Sequence, residues 1–255
     1  HILGIYMLFE YLENQKFIAF SHRGGALENK ENTLEAFQQS ADLGYRYIET
    51  DVQNTKDDKL VIFHDDDLVR INNQNIKIAE VTYEELKNIF IFDNQIIPLF
   101  EDTVNDFSEI NFNIDPKTDR ASILLKNLLI KRNDLERFCI GSHFQRRLDL
   151  FNLNEFKKLA ISMSRQEVLK LYINQYLYLF KQTTPCVQVP TSFKGITIVN
   201  QKLINFIHDQ GKKIHVWTVD DQDEMQRLID LGVDGIMTDR PSLLKETLIK
   251  NSLWD

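Results

Sequence analysis

The sequence predicts an α/β protein folded as one (β/α)₈ barrel, with a β-hairpin excursion after the second strand. Its 255 residues, 43% of them hydrophobic, suit a single barrel of about 250 residues. Short apolar runs alternate with longer helical patterns, which is typical of βαβ units and a parallel sheet. Only residues 54–59 separate the second run from the third, whereas a parallel crossover needs roughly a dozen residues. Those two runs must therefore form an antiparallel hairpin, and the other strands close the barrel.

The strand-like runs are short, and helical patterns lie between most of them. They cover residues 17–21, 47–52, 60–63, 112–115, 138–142, 158–162, 186–189, 213–218 and 235–238. Asn32, with Glu35 three residues later, predicts an N-cap and a capping box at the start of the first long helix. Gly44, Gly211 and Gly232 follow helical patterns, where C-terminal glycines are expected.

We expect one domain over residues 1–255, with a small insertion over 65–100 at the barrel mouth. A short helix should begin near Thr82 within this insertion. Cys139 and Cys186 both lie in apolar runs, so both are interpreted as reduced core residues.

The charge balance limits the partners. The chain has 38 acidic and 30 basic residues, a formal net charge of −8. This argues against a sequence-independent nucleic-acid binder and disfavours a peripheral protein held on anionic lipid. No run approaches the roughly 18 apolar residues of a membrane span, so no stable membrane insertion is expected. We expect a cytoplasmic protein, with a truncated secretory leader as the open alternative; the oligomeric state does not follow from the sequence.

Chemically active side chains gather where the barrel strands end, which is where barrel enzymes place their catalytic groups. They are His22, Arg23, Glu49, Asp51, His64, Asp115, Lys117 and Trp217. Each could be structural when taken alone, as we interpret His143, His208 and His215. Two buried carboxylates on one strand need a compensating cation, and three carboxylates suit a hard divalent metal. The convergence of the whole set at one mouth predicts an active site.

This set suits hydrolysis of a phosphodiester. A metal together with Arg23 and Lys117 could hold a phosphate and stabilise the charge of its transition state. Two histidines could divide the proton transfers, one taking a proton from the attacking oxygen and the other protonating the leaving oxygen. Trp217 would offer a flat apolar wall beside the phosphate.

Four segments resemble the glycerophosphodiester phosphodiesterases, in order along nearly the whole chain. They are "SHRGG…ENTLEAF", "YIETDVQNTKDDKLVIFHDDDL", "FNIDPK" and "IHVWTVDDQDEMQRLIDLGVDGIMTDRP". The resemblance implies a TIM-type barrel that releases glycerol 3-phosphate and an alcohol from deacylated phospholipids. It also implies paired acid/base histidines, metal carboxylates with Mg²⁺ or Ca²⁺, phosphate contacts and an orienting glutamate. By motif these are His22 and His64; Glu49, Asp51 and Asp115; Arg23 and Lys117; and Glu31.

The resemblance also marks departures and alternatives. Asp115 stands where many relatives have a glutamate, and "CVQVP" resembles a branch that includes lysophospholipase D enzymes. Lysophospholipase D activity is therefore the nearest alternative to hydrolysis of small deacylated diesters. A phosphatidylinositol-type lyase and a non-catalytic phosphate-binding protein are the others.

Overall fold

The computed structural model describes residues 9–152, 155–177 and 179–254, and these form a barrel of parallel strands surrounded by helices. The strands are β1 (Ile18–His22), β2 (Tyr47–Asn54), β3 (Leu60–Ile62), β4 (Asp67–Leu68), β5 (Gln74–Lys77), β6 (Asn111–Pro116), β7 (Phe138–Ile140), β8 (Ala160–Ile161), β9 (Cys186–Pro190), β10 (Ser192–Phe193), β11 (Ile196–Thr197), β12 (Lys213–Trp217) and β13 (Gly235–Thr238).

Helices of very different length connect these strands. They are α1 (Glu10–Glu13), α2 (Leu34–Asp42), α3 (Val69–Asn72), α4 (Tyr83–Leu86), α5 (Phe100–Asp106), α6 (Asp119–Leu129), α7 (Gln145–Leu148), α8 (Arg165–Leu177), α9 (Gln201–His208), α10 (Gln222–Leu231) and α11 (Pro241–Lys250). Two 3₁₀ turns, Ile78–Glu80 and Leu135–Arg137, complete the set.

The barrel sheet runs in the order β8-β7-β6-β2-β1-β13-β12-β9, and every neighbouring pair is parallel. One parallel bridge, Ser162 with Cys186, joins the two ends of this sheet. The predicted fold class is therefore confirmed. The strand β8 has two residues because the chain before it forms a turn, in which the Leu159 N–H donates to the Phe156 carbonyl.

The predicted hairpin is confirmed. The strands β2 and β3 are antiparallel, with Val52 opposite Ile62 and Asn54 opposite Leu60. Its return arm brings the chain to His64 beside the mouth of the barrel. The insertion that follows has its own apolar cluster, which includes Phe63, Leu68 and Ile78, and α4 begins after Thr82 with a capping box.

The barrel interior is filled by buried side chains from several of its strands. Phe20, Tyr47, Cys139, Cys186 and Met237 belong to one cluster. Both cysteines are buried and free, as predicted. Two further apolar clusters lie between the sheet and the helices, and together they hold the strand ends at fixed positions.

The predicted capping box at Asn32 is wrong. The N-cap of α2 is Thr33, whose hydroxyl accepts from the Ala36 N–H at 3.1 Å. Asn32 has a positive φ of 57°, and its amide donates to Asp51 instead. Gly232 is the left-handed C-cap of α10, as predicted.

Two short hairpins were not expected from the sequence. The strands β4 and β5 pair in the insertion, and β10 pairs with β11 after β9. Within the described residues, no helix has the length and apolar character needed to cross a lipid bilayer.

Candidate active site

A cavity of about 920 Å³ opens at the C-terminal ends of the barrel strands. All of the predicted site residues except Glu31 line it: His22, Arg23, Glu49, Asp51, His64, Asp115, Lys117 and Trp217. Glu31 lies beside the cavity and contacts Arg23. The strands therefore bring the predicted set together at one mouth.

His22 ends β1 and lies between two carboxylates. Its Nδ1 lies 2.7 Å from Asp239 Oδ1, and its Nε2 lies 3.4 Å from Glu49 Oε2. Burial lowers the pKa of His22, but the Glu49 carboxylate and the hydrogen bond with Asp239 outweigh burial and raise this pKa to about 9. At neutral pH the imidazole therefore carries a proton, and Asp239 fixes the orientation of its ring.

A second imidazole is held in a similar way. His64 Nδ1 lies 2.6 Å from Asp65 Oδ1, and Asp65 also accepts from Arg70 Nε at 2.6 Å. Arg70 donates in turn to both carboxylate oxygens of Glu31, at 3.0 and 2.6 Å. Glu31 thus links the histidine of the hairpin to Arg23 at the end of β1.

Three carboxylates and two cations occupy the floor of the cavity; Glu49 and Asp51 are buried, and Asp115 is partly buried. Lys117 Nζ lies 3.3 Å from Asp51 Oδ1 and 3.0 Å from Asp115 Oδ2. Arg23 Nε lies 2.9 Å from Asp51 Oδ2, but its N–H is not aimed at a hydrogen-bond acceptor among the described residues. Glu49 completes the set from β2.

The pKa is raised for two of these carboxylates and lowered for the third. Burial and the neighbouring Asp51 raise the pKa of Glu49 to about 7. Burial also raises the pKa of Asp51, but Arg23 and Lys117 outweigh it and hold this pKa below its ordinary value. Burial keeps the pKa of Asp115 above its ordinary value despite the contact with Lys117. Glu49 is thus the least compensated of the three.

The mouth carries excess negative charge. As far as the structure describes it, the ion-pair network contains six carboxylates and three permanent cations. These are Glu31, Glu49, Asp51, Asp65, Asp115 and Asp239, with Arg23, Arg70 and Lys117. The formal charge of these nine side chains is −3, or −2 when the protonated His22 is included, which is unfavourable for an anionic phosphodiester.

The carboxylates fit a hard divalent cation by their chemistry. Oxygen ligands are what Mg²⁺ and Ca²⁺ prefer, and Glu49 Oε2 is buried without a hydrogen-bond donor in the described part of the chain. No three His, Cys, Asp or Glu side chains among those residues are arranged to hold a metal ion directly. Lys117 Nζ lies between Asp51 and Asp115, so an ammonium group holds apart two of the carboxylates that could share an ion.

Several functional neighbours were not predicted from the sequence. Arg70 lies in α3, and only the β4–β5 hairpin turns it toward Glu31. Asn32 donates to Asp51 Oδ2 at 3.0 Å and accepts from Thr50 at 2.8 Å, so it fixes a buried carboxylate. Its spacing before "TLEAF" suggested a helix cap, but Thr33 was the better candidate. Asp239, which directly follows β13, had no predicted role.

The outer part of the cavity is apolar. Trp217 ends β12, and its ring makes an edge contact with His143 at a centroid distance of 5.8 Å. His143 was interpreted as structural, but it lines the cavity. Beyond these two rings the wall is formed by Leu169 and Tyr172 of α8 and by the β10–β11 hairpin.

The chain is similar to known proteins along nearly its whole length. A model of the glycerophosphoryl diester phosphodiesterase family matches residues 22–243. A Mycobacterium tuberculosis protein named "Probable glycerophosphodiester phosphodiesterase 2" is 32% identical over 253 residues, 96% of this chain and 96% of that one. A human lysophospholipase D is 27% identical over 92% of this chain and 88% of its own length.

A solved structure has the same fold. It is a phosphodiesterase of Oleispira antarctica in complex with the product sn-glycerol-3-phosphate. The TM-score is 0.74 at 19% identity, over 91% of this chain and 96% of that chain.

Proposed function

The chain belongs to the glycerophosphoryl diester phosphodiesterase family, and on that premise we propose that it hydrolyses glycerophosphodiesters to glycerol 3-phosphate and an alcohol. The observation that carries this proposal is a pair of carboxylate-held imidazoles, His22 and His64, on one cavity that also contains Arg23 and Lys117. This arrangement provides a proton donor, a proton acceptor and two cations at one place, as cleavage of a phosphodiester requires.

His22 is assigned the proton donor and His64 the acceptor. Asp239 lies 2.7 Å from His22 Nδ1 and favours the protonated imidazole, so His22 can give a proton to the oxygen of the departing alcohol. His64, oriented by Asp65, takes the proton of the attacking hydroxyl. The P–O bond to the alcohol breaks as the new P–O bond forms. This step leaves His22 neutral and His64 protonated, and proton exchange with solvent restores both before the next turnover.

Arg23 and Lys117 bind the phosphate. Both line the cavity and both already compensate Asp51, so their charged ends lie at its floor. An anionic phosphoryl group placed there would be stabilised more strongly as charge grows in the transition state. Glu31 and Arg70 hold Arg23 and Asp65 in position rather than touching the substrate.

Glu49, Asp51 and Asp115 would hold a divalent ion, Mg²⁺ or Ca²⁺. Such an ion, when bound, neutralises the carboxylates and polarises a phosphoryl oxygen. Dialysis against EDTA should abolish turnover, and either ion should restore it. The variant Asp115→Asn should bind the ion more weakly, measured by calorimetry without substrate, while its thermal unfolding stays close to that of the wild type. Full turnover in excess EDTA would refute the metal requirement.

Phosphorus NMR of the products tests the reaction itself. Glycerophosphocholine should yield glycerol 3-phosphate alone. Choline phosphate would mean cleavage on the other side of the phosphorus, and an accumulating cyclic phosphate would mean a lyase. Binding of the diester without turnover, in the presence of Mg²⁺ and Ca²⁺, would mean a phosphate-binding protein.

A second activity, lysophospholipase D, is favoured by one observation. The outer cavity wall is apolar and continues past Trp217 to Leu169, Tyr172 and Phe193, which is more apolar surface than a deacylated diester can cover. A lysophospholipid would place its acyl chain there while its phosphate occupied the same floor.

A further inference from the structure

The helix α8 exposes apolar side chains in addition to the apolar face that it buries. Leu171 is buried, and Val168 and Tyr172 pack against the same core cluster, whereas Leu169, Tyr176 and Leu177 are exposed to 64%, 63% and 61%. A surface helix of a globular protein normally carries polar residues on the side opposite the core. An exposed apolar face on such a helix indicates a surface that binds a membrane or a partner protein.

The neighbouring hairpin continues this surface. Every residue from Ser192 to Thr197 is exposed, and the tip carries Phe193 and Ile196 on either side of a Lys194–Gly195 turn. Leu169, Phe193 and Ile196 also line the substrate cavity. We call Leu169, Tyr176, Leu177, Phe193 and Ile196 the apolar lip.

The charge around the lip is opposite to that of the chain. Residues 161–202 contain five basic residues and one acidic residue, a formal charge of +4, whereas the whole chain carries −8. The acidic residue, Glu167, points inward and accepts from the Thr184 hydroxyl at 2.5 Å. The positive charge of this region is therefore not neutralised locally.

The basic side chains lie over aromatic rings of the same region. Arg165 is 5.5 Å and Lys194 5.7 Å from the Phe193 ring centroid, Lys170 is 5.8 Å from that of Phe180, and Lys202 is 3.6 Å from that of Tyr176. Apolar and aromatic side chains combined with basic ones are typical of surfaces that lie in the interface of an anionic membrane.

We propose that the apolar lip docks reversibly on the surface of an anionic phospholipid membrane and turns the barrel mouth toward it. The lip is continuous with the cavity, so docking places the site where lipid-derived diesters are released. A second copy of this chain is a poorer occupant, because a two-fold contact would oppose two surfaces of charge +4. The overall charge of −8 disfavours attachment of the molecule as a whole, but its uneven distribution favours attachment by this face.

Sedimentation with vesicles tests the proposal without turnover. The wild type should bind vesicles of phosphatidylcholine mixed with phosphatidylglycerol, should bind phosphatidylcholine alone less well, and should be released as salt is added. The double variant Tyr176→Glu/Leu177→Glu should bind the mixed vesicles at least roughly tenfold more weakly, because it removes apolar area and adds repulsion.

Ile130→Glu/Ile249→Glu is the matched control, because these residues are similarly exposed, at 52% and 54%. Ile130 lies at the end of α6 and Ile249 lies on α11, so both are outside the lip. Its binding should equal that of the wild type. If circular dichroism shows that the α8 variant is unfolded, Lys170→Glu/Lys181→Glu replaces it and should show the same loss.

Three outcomes overturn the proposal. They are no wild-type binding to mixed vesicles, equal loss in the control, and a wild-type dimer that becomes monomeric in the α8 variant without any vesicle binding. The last would make the lip an interface between copies. Turnover of glycerophosphocholine is measured in parallel and should be unchanged in the α8 variant, since Tyr176 and Leu177 do not line the cavity. If the proposed function is wrong, glycerophosphocholine will not be turned over, whereas vesicle binding measured by sedimentation will be unaffected.

Discussion

At the residue scale, His22 and His64 have different proposed roles, so replacing each should affect turnover in a different way. Replacing either with Ala should lower kcat/KM for glycerophosphocholine by at least roughly 10²-fold, the usual size of an acid–base contribution. A glycerophosphodiester of p-nitrophenol has a leaving group that needs no proton. It should restore much of the rate to His22→Ala and little to His64→Ala. Equal rescue of both variants would contradict the assignment of donor and acceptor.

Asn32 and Thr33 are adjacent but should have separable effects. The variant Thr33→Ala removes the cap of α2 and should lower the free energy of unfolding by about 1 kcal/mol, with Thr33→Ser as its control. Asn32→Gly tolerates the positive φ but removes the donor to Asp51, so it should lower kcat/KM more than stability. Urea titrations and kinetics on both variants check this. The same ranking of the two variants in both assays would refute the separation.

His215 should make stability depend on pH. Burial lowers its pKa to about 4 from an ordinary 6.5, so the folded state binds fewer protons there than the unfolded state. The stabilising effect is complete above pH 6.5 and is lost as the pH falls toward 4, by roughly 3 kcal/mol for a shift of this size. His215→Phe should flatten the urea-derived stability profile in this window. A profile as steep as that of the wild type would exclude His215 as the cause.

Strand periodicity accounts for only part of the predicted site. Glu49 and Asp51, or Asp115 and Lys117, are two apart on strands and so must share a face. Arg70 could not be found, because its direction depends on how the insertion folds. The role of Asn32 could not be found either, because it depends on a positive φ that the motif does not reveal.

At the element scale, the β2–β3 pairing could be predicted from the length of the connection between its strands. That connection is too short for a crossover. The β10–β11 hairpin was missed, although Phe193-Lys194-Gly195-Ile196 has the two-residue, glycine-containing turn that favours a hairpin. The exposed apolar side chains of α8 were also missed, because apolar residues lie on both sides of this helix and such a pattern does not tell which side is buried.

The closure of the barrel between β8 and β9 should be its least stable seam. The strand β8 has only two residues, and its contact with β9 includes a single bridge and the bond from the Met163 N–H to the Cys186 carbonyl. Hydrogen exchange should therefore be faster at Met163 than at the buried centre of β2, because local opening needs fewer contacts to break. Mass spectrometry on peptic fragments, read at the seam and at β2, measures this. Equal protection of the two would show that the seam opens only with the whole barrel.

At the scale of the whole molecule, the charge distribution combines an acidic site with a basic rim. The net charge of −8 averages two opposite regions. The carboxylates that are proposed to hold a cation line the floor of the cavity, and residues 161–202 carry the basic side chains beside the mouth. A composition cannot separate these regions, because their separation arises only when the strands close into a barrel.

The last prediction concerns the substrate preference that follows from this mouth. One diester charge suits Arg23, Lys117 and a metal, so glycerophosphocholine and glycerophosphoethanolamine should be hydrolysed at comparable rates. The measured quantity is kcat/KM for a lysophospholipid divided by kcat/KM for its deacylated diester. If the apolar wall serves only docking, the variant Phe193→Ser/Ile196→Ser should change this ratio no more than the control Phe90→Ser/Ile96→Ser does. A wild-type ratio above ~10², roughly 2.7 kcal/mol of transition-state preference, that collapses only in the hairpin variant would instead assign the wall to an acyl chain. The enzyme would then be a lysophospholipase D, because the phosphate floor is common to both substrates and the apolar wall, which includes the hairpin, distinguishes them.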